Sequence, residues 1–142
     1  MVTSFEGKYR FLSNFYECGI RYEGRTFYNV EAAYQSAKKD DPKYKDRLSS
    51  TVDPVIAKKI GRNQQGRDWP TKSLDIMLEL LRLKFNEPTL KQKLLDTKSE
   101  VLIEGNWWGD TFWGQCPLGT GENHLGILLM QVRKELREEF SS

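Results

Sequence analysis

The strongest apolar period in the chain runs through Leu74, Met77, Leu78, Leu81 and Phe85, spaced i, i+3, i+4, i+7 and i+11. It predicts a core helix that opens after Asp68-Trp69-Pro70 and is ended by Asn86-Glu87-Pro88. A second long stripe, Leu125, Leu128, Leu129, Val132, Leu136 and Phe140, predicts a closing helix whose start is marked by Asn123. Shorter segments fill the space between. Ile20 to Tyr22 and Thr26 to Tyr28 flank Glu23-Gly24-Arg25 and predict a hairpin. Asn29 is placed to cap a helix from Val30 to about Lys39, with Val30, Ala33, Tyr34 and Ala37 as its buried stripe. Glu31, Gln35 and Lys38 lie at i, i+4 and i+7 of that helix and share a different face. Asp40-Asp41-Pro42 is read as its break, and residues 46–51 as helix or loop.

Asp53-Pro54 predicts the next helix, with an acid at the cap and proline in the first helical position. Val55, Ile56 and Ile60 give it an apolar side, and Gly61 stops it. Thr89 to Leu95 reads as a short helix with Leu90, Leu94 and Leu95 inward. Val101-Leu-Ile103 reads as a brief buried strand ending in Glu104. The expected fold class is mainly α, a single compact helical domain over residues 1–142 with a small antiparallel β-sheet packed on it.

One stretch obeys neither period. Gly105 to Asn123 holds Trp107, Trp108 and Trp113 around a single acid, Asp110, with Gly119 and Gly121 behind them. Flat rings and permissive backbone suit the wall of a pocket, and indoles that plug the core are the plainer alternative. Gly61 to Arg67 is bounded by glycine and carries Arg62 and Arg67. It could hold a phosphate through guanidinium forks and free backbone N–H groups, or simply be a solvated loop.

Composition removes several classes of chemistry. Net charge is +2, from 22 basic and 20 acidic side chains, so bulk electrostatics make no case for DNA or a membrane surface. One histidine, His124, and two distant cysteines, Cys18 and Cys116, fit no metal spacing, no disulfide framework and no serine triad. No metal and no cofactor are expected. Residues 1–9 lack an apolar signal core, and no apolar run is long enough to span a bilayer, so the expected location is cytoplasmic with reduced thiols.

Carboxylates remain. Glu31 lies in the first turn of its helix, where the dipole favours the anion. Asp110 sits among indoles, where closure of the loop would desolvate it and raise its pKa. Glu104 is a third acid pointing toward the same loop. Two carboxylates in opposed environments suit cleavage at an anomeric carbon, one steadying an oxocarbenium-like centre and the other managing the leaving group's proton.

Several strings together resemble the YbiA-like family, also called the NADAR domain. They are Phe11-Leu-Ser-Asn-Phe-Tyr16, Val30-Glu-Ala-Ala-Tyr-Gln-Ser-Ala-Lys38, Lys84-Phe85, Leu94-Leu-Asp-Thr97, Asp110-Thr-Phe-Trp-Gly114 and Gly121-Glu-Asn-His-Leu-Gly-Ile-Leu-Leu-Met130. The resemblance runs from about Phe5 to Arg137 and departs at Ala32, where the family's helix string carries histidine, and at Lys39, where an aromatic is common. It implies a mainly helical domain that hydrolyses the bond between a ribose C1′ and a nitrogen. Implied substrates are phosphoribosylamino-pyrimidine intermediates of riboflavin synthesis, or ADP-ribose on guanine, free or in nucleic acid. By position it makes Glu31 and Asp110 the catalytic pair, Asn14 and Asn123 ribose or base contacts, and Trp113 and Trp69 a stacking platform. Gln35 matches the family's helix string and joins the substrate contacts, and Lys38 is the best supported phosphate ligand. Arg10 and Arg62 are added to the phosphate ligands on charge.

The competing expectations are an O-glycoside hydrolase of the muramidase kind and a non-enzymatic ADP-ribose or nucleotide-binding module. A nucleic-acid binder ranks last, because no basic residue interrupts the tryptophan loop.

Overall fold

Acid–proline pairs start three of the helices. Asp41-Pro42, Asp53-Pro54 and Glu87-Pro88 each put a carboxylate at the cap and proline in the first turn, where its missing N–H costs nothing. The computed structural model describes residues 1–141, side chains 140 and 141 excepted. The chain divides into two units, residues 14–84 (central in sequence) and residues 1–13 with the stretch from Phe85 onward (the terminal unit).

The central unit opens with the only two-stranded sheet among the described residues. Strands β1 (Ile20–Tyr22) and β2 (Arg25–Phe27) pair antiparallel, Ile20 opposite Phe27 and Tyr22 opposite Arg25. Glu23 and Gly24 make the turn alone, with φ of 48° and 82°, the left-handed pair that matches strand twist. Arg25, expected in the turn, is therefore the first residue of β2, and Tyr28 falls outside it.

Helix α1 (Val30–Ser36) follows, shorter than expected and buried at all seven of its residues. Its apolar stripe is not its only inward side, since Glu31 and Gln35 are buried as well. Asn29 caps it as expected: its Oδ1 accepts from Ala32 N at 2.9 Å while its Nδ2 donates to Val52 O at 3.1 Å. Asn29→Ala is expected to destabilise the protein by about 1–2 kcal/mol, measured by urea unfolding, because it removes the cap and the part-buried bond to Val52 O together.

Helix α2 (Pro42–Ser49) occupies the stretch read as a break and an unassigned segment. Asp41 caps it through the N–H groups of Lys43 and Tyr44, and Leu48 is its one buried residue. Helix α3 (Pro54–Gly61) begins where expected but faces the other way. Ala57 and Gly61 are buried, while Val55 and Ile56 are about half exposed. Small residues face inward because α1 lies close against this side. Helix α4 (Trp69–Lys84) buries Trp69, Ser73, Met77, Leu80, Leu81 and Lys84, with Leu74 and Leu78 only partly covered.

In the terminal unit a 3-10 helix (Gly7–Leu12) buries Phe11 and Leu12. Phe85 meets Phe11 edge to face at 6.4 Å. Helix α5 (Pro88–Leu95) buries Leu90 and Leu94. The expected strand at Val101 to Ile103 does not form. Val101 is exposed, and the segment makes one isolated parallel bridge, Leu102 to Val2. Helix α6 (His124–Ser141) closes the chain with Leu125, Leu129, Val132 and Leu136 buried; the side chain of Phe140, expected on this stripe, lies outside the described residues. Among the described residues no helix is long and apolar enough to cross a membrane.

Candidate active site

In the central unit, α1 carries Glu31 and Gln35, and Lys38 stands just beyond its end, the three residues whose spacing predicts one shared face. Glu31 is 7% exposed and Gln35 is 4% exposed. Gln35 Nε2 donates to Glu31 Oε1 at 2.7 Å. The amide thereby fixes the orientation of the carboxylate. Glu31 N also donates to Asn14 O at 3.1 Å, which ties the Phe11–Tyr16 string to the helix.

Lys38 follows the helix and lies half-buried. Its Nζ donates to Gly61 O at 3.2 Å and stands 5.8 Å from the ring centres of both Tyr34 and Trp69. Burial presses its ammonium below the usual lysine range, and the Glu31 carboxylate pulls it back. Trp69 packs against Tyr34 at 5.1 Å, so one side of the indole already has company.

Two buried acceptors near Glu31 have no partner among the described residues, Asn14 Oδ1 and Gln35 Oε1. Among the described residues, Asn14 offers its Nδ2 to the sulfur of Met77 at 3.6 Å. Gln35 Oε1 lies against Gly61, where a Cβ would overlap it. Arg62 caps the end of α3 with an exposed side chain.

Sequence reasoning missed Tyr44, whose hydroxyl donates to Gln35 O at 2.7 Å. Nothing in the weak pattern of α2 marks it. Burial raises its pKa from 10.0 to about 12. The phenol is neutral when protonated, and its folded pKa lies above the unfolded one. The stability it contributes is therefore complete below pH 10.0 and lost as pH rises toward about 12. An absorbance-monitored alkaline titration is expected to show Tyr44, with the similarly raised Tyr22, ionising near pH 12.

The terminal unit holds Asp110, Trp113 and Asn123. Asp110 Oδ1 accepts from Phe112 N at 3.2 Å and Trp113 N at 2.9 Å, so the acid shapes the turn that carries Trp113. Asn106, also missed, clamps the loop. Its Nδ2 donates to Glu104 Oε2 at 3.1 Å and Asp110 O at 2.9 Å, and its Oδ1 accepts from Asp110 N at 3.0 Å. The signal for it was available as an asparagine beside glycine at the head of an irregular loop.

The indole enclosure expected around Asp110 does not form. Trp107 is 79% exposed and Trp108 51% exposed, the two rings meeting edge to face at 5.7 Å. Trp113 is partly covered and meets Phe112 at 4.8 Å. Asn123 takes a φ of 51° and spends its side chain on the backbone, accepting from Glu104 N at 2.9 Å and donating to Leu102 O at 3.0 Å. It holds the start of α6 to the strand-like segment. Arg10, on the 3-10 helix, is exposed.

The family model described as the NADAR domain matches residues 3–137. The chain is 33% identical over 131 residues to N-glycosidase YbiA of Shigella boydii, spanning 89% of this chain and 81% of that protein. It is 36% identical over 132 residues to riboflavin biosynthesis protein VVA0006 of Vibrio vulnificus, spanning 90% of this chain and 36% of that longer protein. The solved structure of Escherichia coli YbiA superposes with a TM-score of 0.86 at 30% identity, covering all of this chain and 90% of that one. That likeness agrees with the mainly helical fold class and its small antiparallel sheet.

Proposed function

The chain belongs to the NADAR domain family, and on that premise we propose that it hydrolyses the bond between ribose C1′ and a nitrogen in a phosphoribosyl or ADP-ribosyl substrate. It is a hydrolase acting on N-glycosyl bonds. The names of its relatives support the reaction, and the Vibrio protein's name points to riboflavin biosynthesis, for which a phosphoribosylamino-pyrimidine is our proposed substrate; ADP-ribose on guanine is the other proposed substrate of the same bond type.

The observation that carries the reading is the set of buried groups around Glu31. A carboxylate that accepts from Gln35 Nε2 at 2.7 Å lies beside Asn14, whose buried Oδ1 has no partner among the described residues. Unmatched buried acceptors are rare in folded proteins, and a ribose supplies hydroxyl donors. As the C1′–N bond stretches, positive charge grows on the sugar, and a preorganised anion steadies it at no cost in reorganisation. Water oxygen then bonds to C1′ and the departing nitrogen takes a proton. Asp110 is proposed as the second acid, delivering that proton or exchanging roles with Glu31. Lys38, with Arg10 and Arg62, is proposed for the phosphate, Trp69 and Trp113 for the base, and Gln35 for holding Glu31. Asn123 is proposed as a further contact beside its backbone role.

Purified protein incubated with a phosphoribosylamino-pyrimidine, with ADP-ribosylated guanosine and with free ADP-ribose, and followed by mass spectrometry, tests this. Release of free base from one of the first two is expected. Tight binding without release would make the protein a nucleotide-binding module. If Glu31 and Asp110 serve one turnover, the losses in Glu31→Gln and Asp110→Asn will fall short of adding in the double variant.

A further inference from the structure

A cavity of about 940 Å3 opens in the terminal unit among the 3-10 helix, the end of α5 and the turn after it. Lys8, Lys93 and Lys98 line it, against Asp96 and Glu100. Glu100 is matched by the amino group of Met1, and Asp96 Oδ1 accepts from Gln92 Nε2 at 2.8 Å, so three lysines outnumber the acids on this lining. None of the three lysines joins an ion pair among the described residues. Lys8 Nζ stands 5.0 Å from the centre of the Tyr9 ring and Lys93 Nζ 5.7 Å from that of Phe11, so aromatic faces hold two of them.

Behind this wall lies Arg133 of α6, 5% exposed. Its Nη1 donates to Oγ1 of Thr97, a lining residue, at 2.9 Å, and its Nε is buried without a partner among the described residues. Burial and the nearby Arg137 work against its charge, and Glu100 is the acid that supports it. A guanidinium withdrawn from water with no carboxylate in an ion pair is costly, and a bound anion relieves that cost.

We propose that this cavity binds a phosphate-bearing small molecule, gripped by Lys8, Lys93 and Lys98, with Arg133 supplying a fixed positive charge behind Thr97. Lysine ammonium groups suit phosphate as mobile point charges, and the buried arginine adds a field that solvent screens little. Glu31, Gln35 and Lys38 have no part in it, and the inference stands or falls independently of the glycosidase reading.

Calorimetric titration of the full chain with inorganic pyrophosphate at fixed ionic strength, with amide NMR spectra recorded alongside, is the test. Saturable binding is expected, with shifts concentrated in residues 96–101. Lys93→Glu/Lys98→Glu and, from the other side, Lys8→Glu are each expected to weaken it by roughly tenfold or more. Heat no greater than that of matched chloride, shifts that map onto α1 instead, or unchanged affinity in either variant would overturn the assignment.

Discussion

Glu31→Gln is expected to lower turnover by about a hundredfold or more and to leave the fold in place. The substitution keeps shape and keeps an oxygen where Gln35 Nε2 donates at 2.7 Å, so the buried hydrogen bond survives. It also keeps the backbone bond from residue 31 to Asn14 O. What disappears is the negative charge, which the proposed reaction needs most as the sugar becomes cationic. Base release should therefore fall in kcat with little change in KM, while the thermal midpoint stays close to that of the parent. Unchanged hydrolysis would remove Glu31 from the reaction. A collapse of the midpoint would instead assign it a role in packing.

Gly61→Ala is expected to destabilise the protein by about 1–3 kcal/mol, against the sign that helix propensity alone would give. Gly61 is the last residue of α3 and has an ordinary helical backbone, so alanine there would usually help by up to about 1 kcal/mol. Here the added methyl would overlap Gln35 Oε1 and lie 2.6 Å from its Cδ and 2.9 Å from its Cβ. The amide end could swing aside, but the Cβ of a buried helical residue cannot. Gln35 would shift, and the bond that orients Glu31 would shift with it, so activity should fall alongside stability. Gln35→Ala clears most of the obstruction. In that background Gly61→Ala should cost markedly less, a coupling that urea unfolding of the four proteins in the cycle will read. Full additivity would show that the two residues do not press on each other.

Much of this arrangement was legible in the chain, and the failures have physical causes. Asn29 before an apolar stripe and Asp53 before Pro54 declare their helices, and both caps are made. Asp41-Pro42 carries the same signal but follows a helix, so the proline read as an ending; the acid before it is what marks a beginning. The inward side of α3 was mistaken because large apolar residues are taken to seek the interior. A neighbouring helix at short range admits only Ala57 and Gly61, and Val55 and Ile56 are left at the surface. Periodicity put Glu31 and Gln35 on one face, but it does not say whether a polar face is wet, and this one is dry. In the tryptophan loop, composition announced rings without saying which way they point. Trp107 and Trp108 face outward because Asn106 and Asp110 fold the backbone around themselves.

The brevity of α1 has a final bearing on how the protein behaves in a cell. Seven residues are too few to stay helical unaided, so this segment takes shape only once α2, α3, α4 and the hairpin have closed on it. A nascent or half-denatured molecule would thus lack the buried pairing of Gln35 with Glu31, and any chemistry that rests on it would wait for the unit to close.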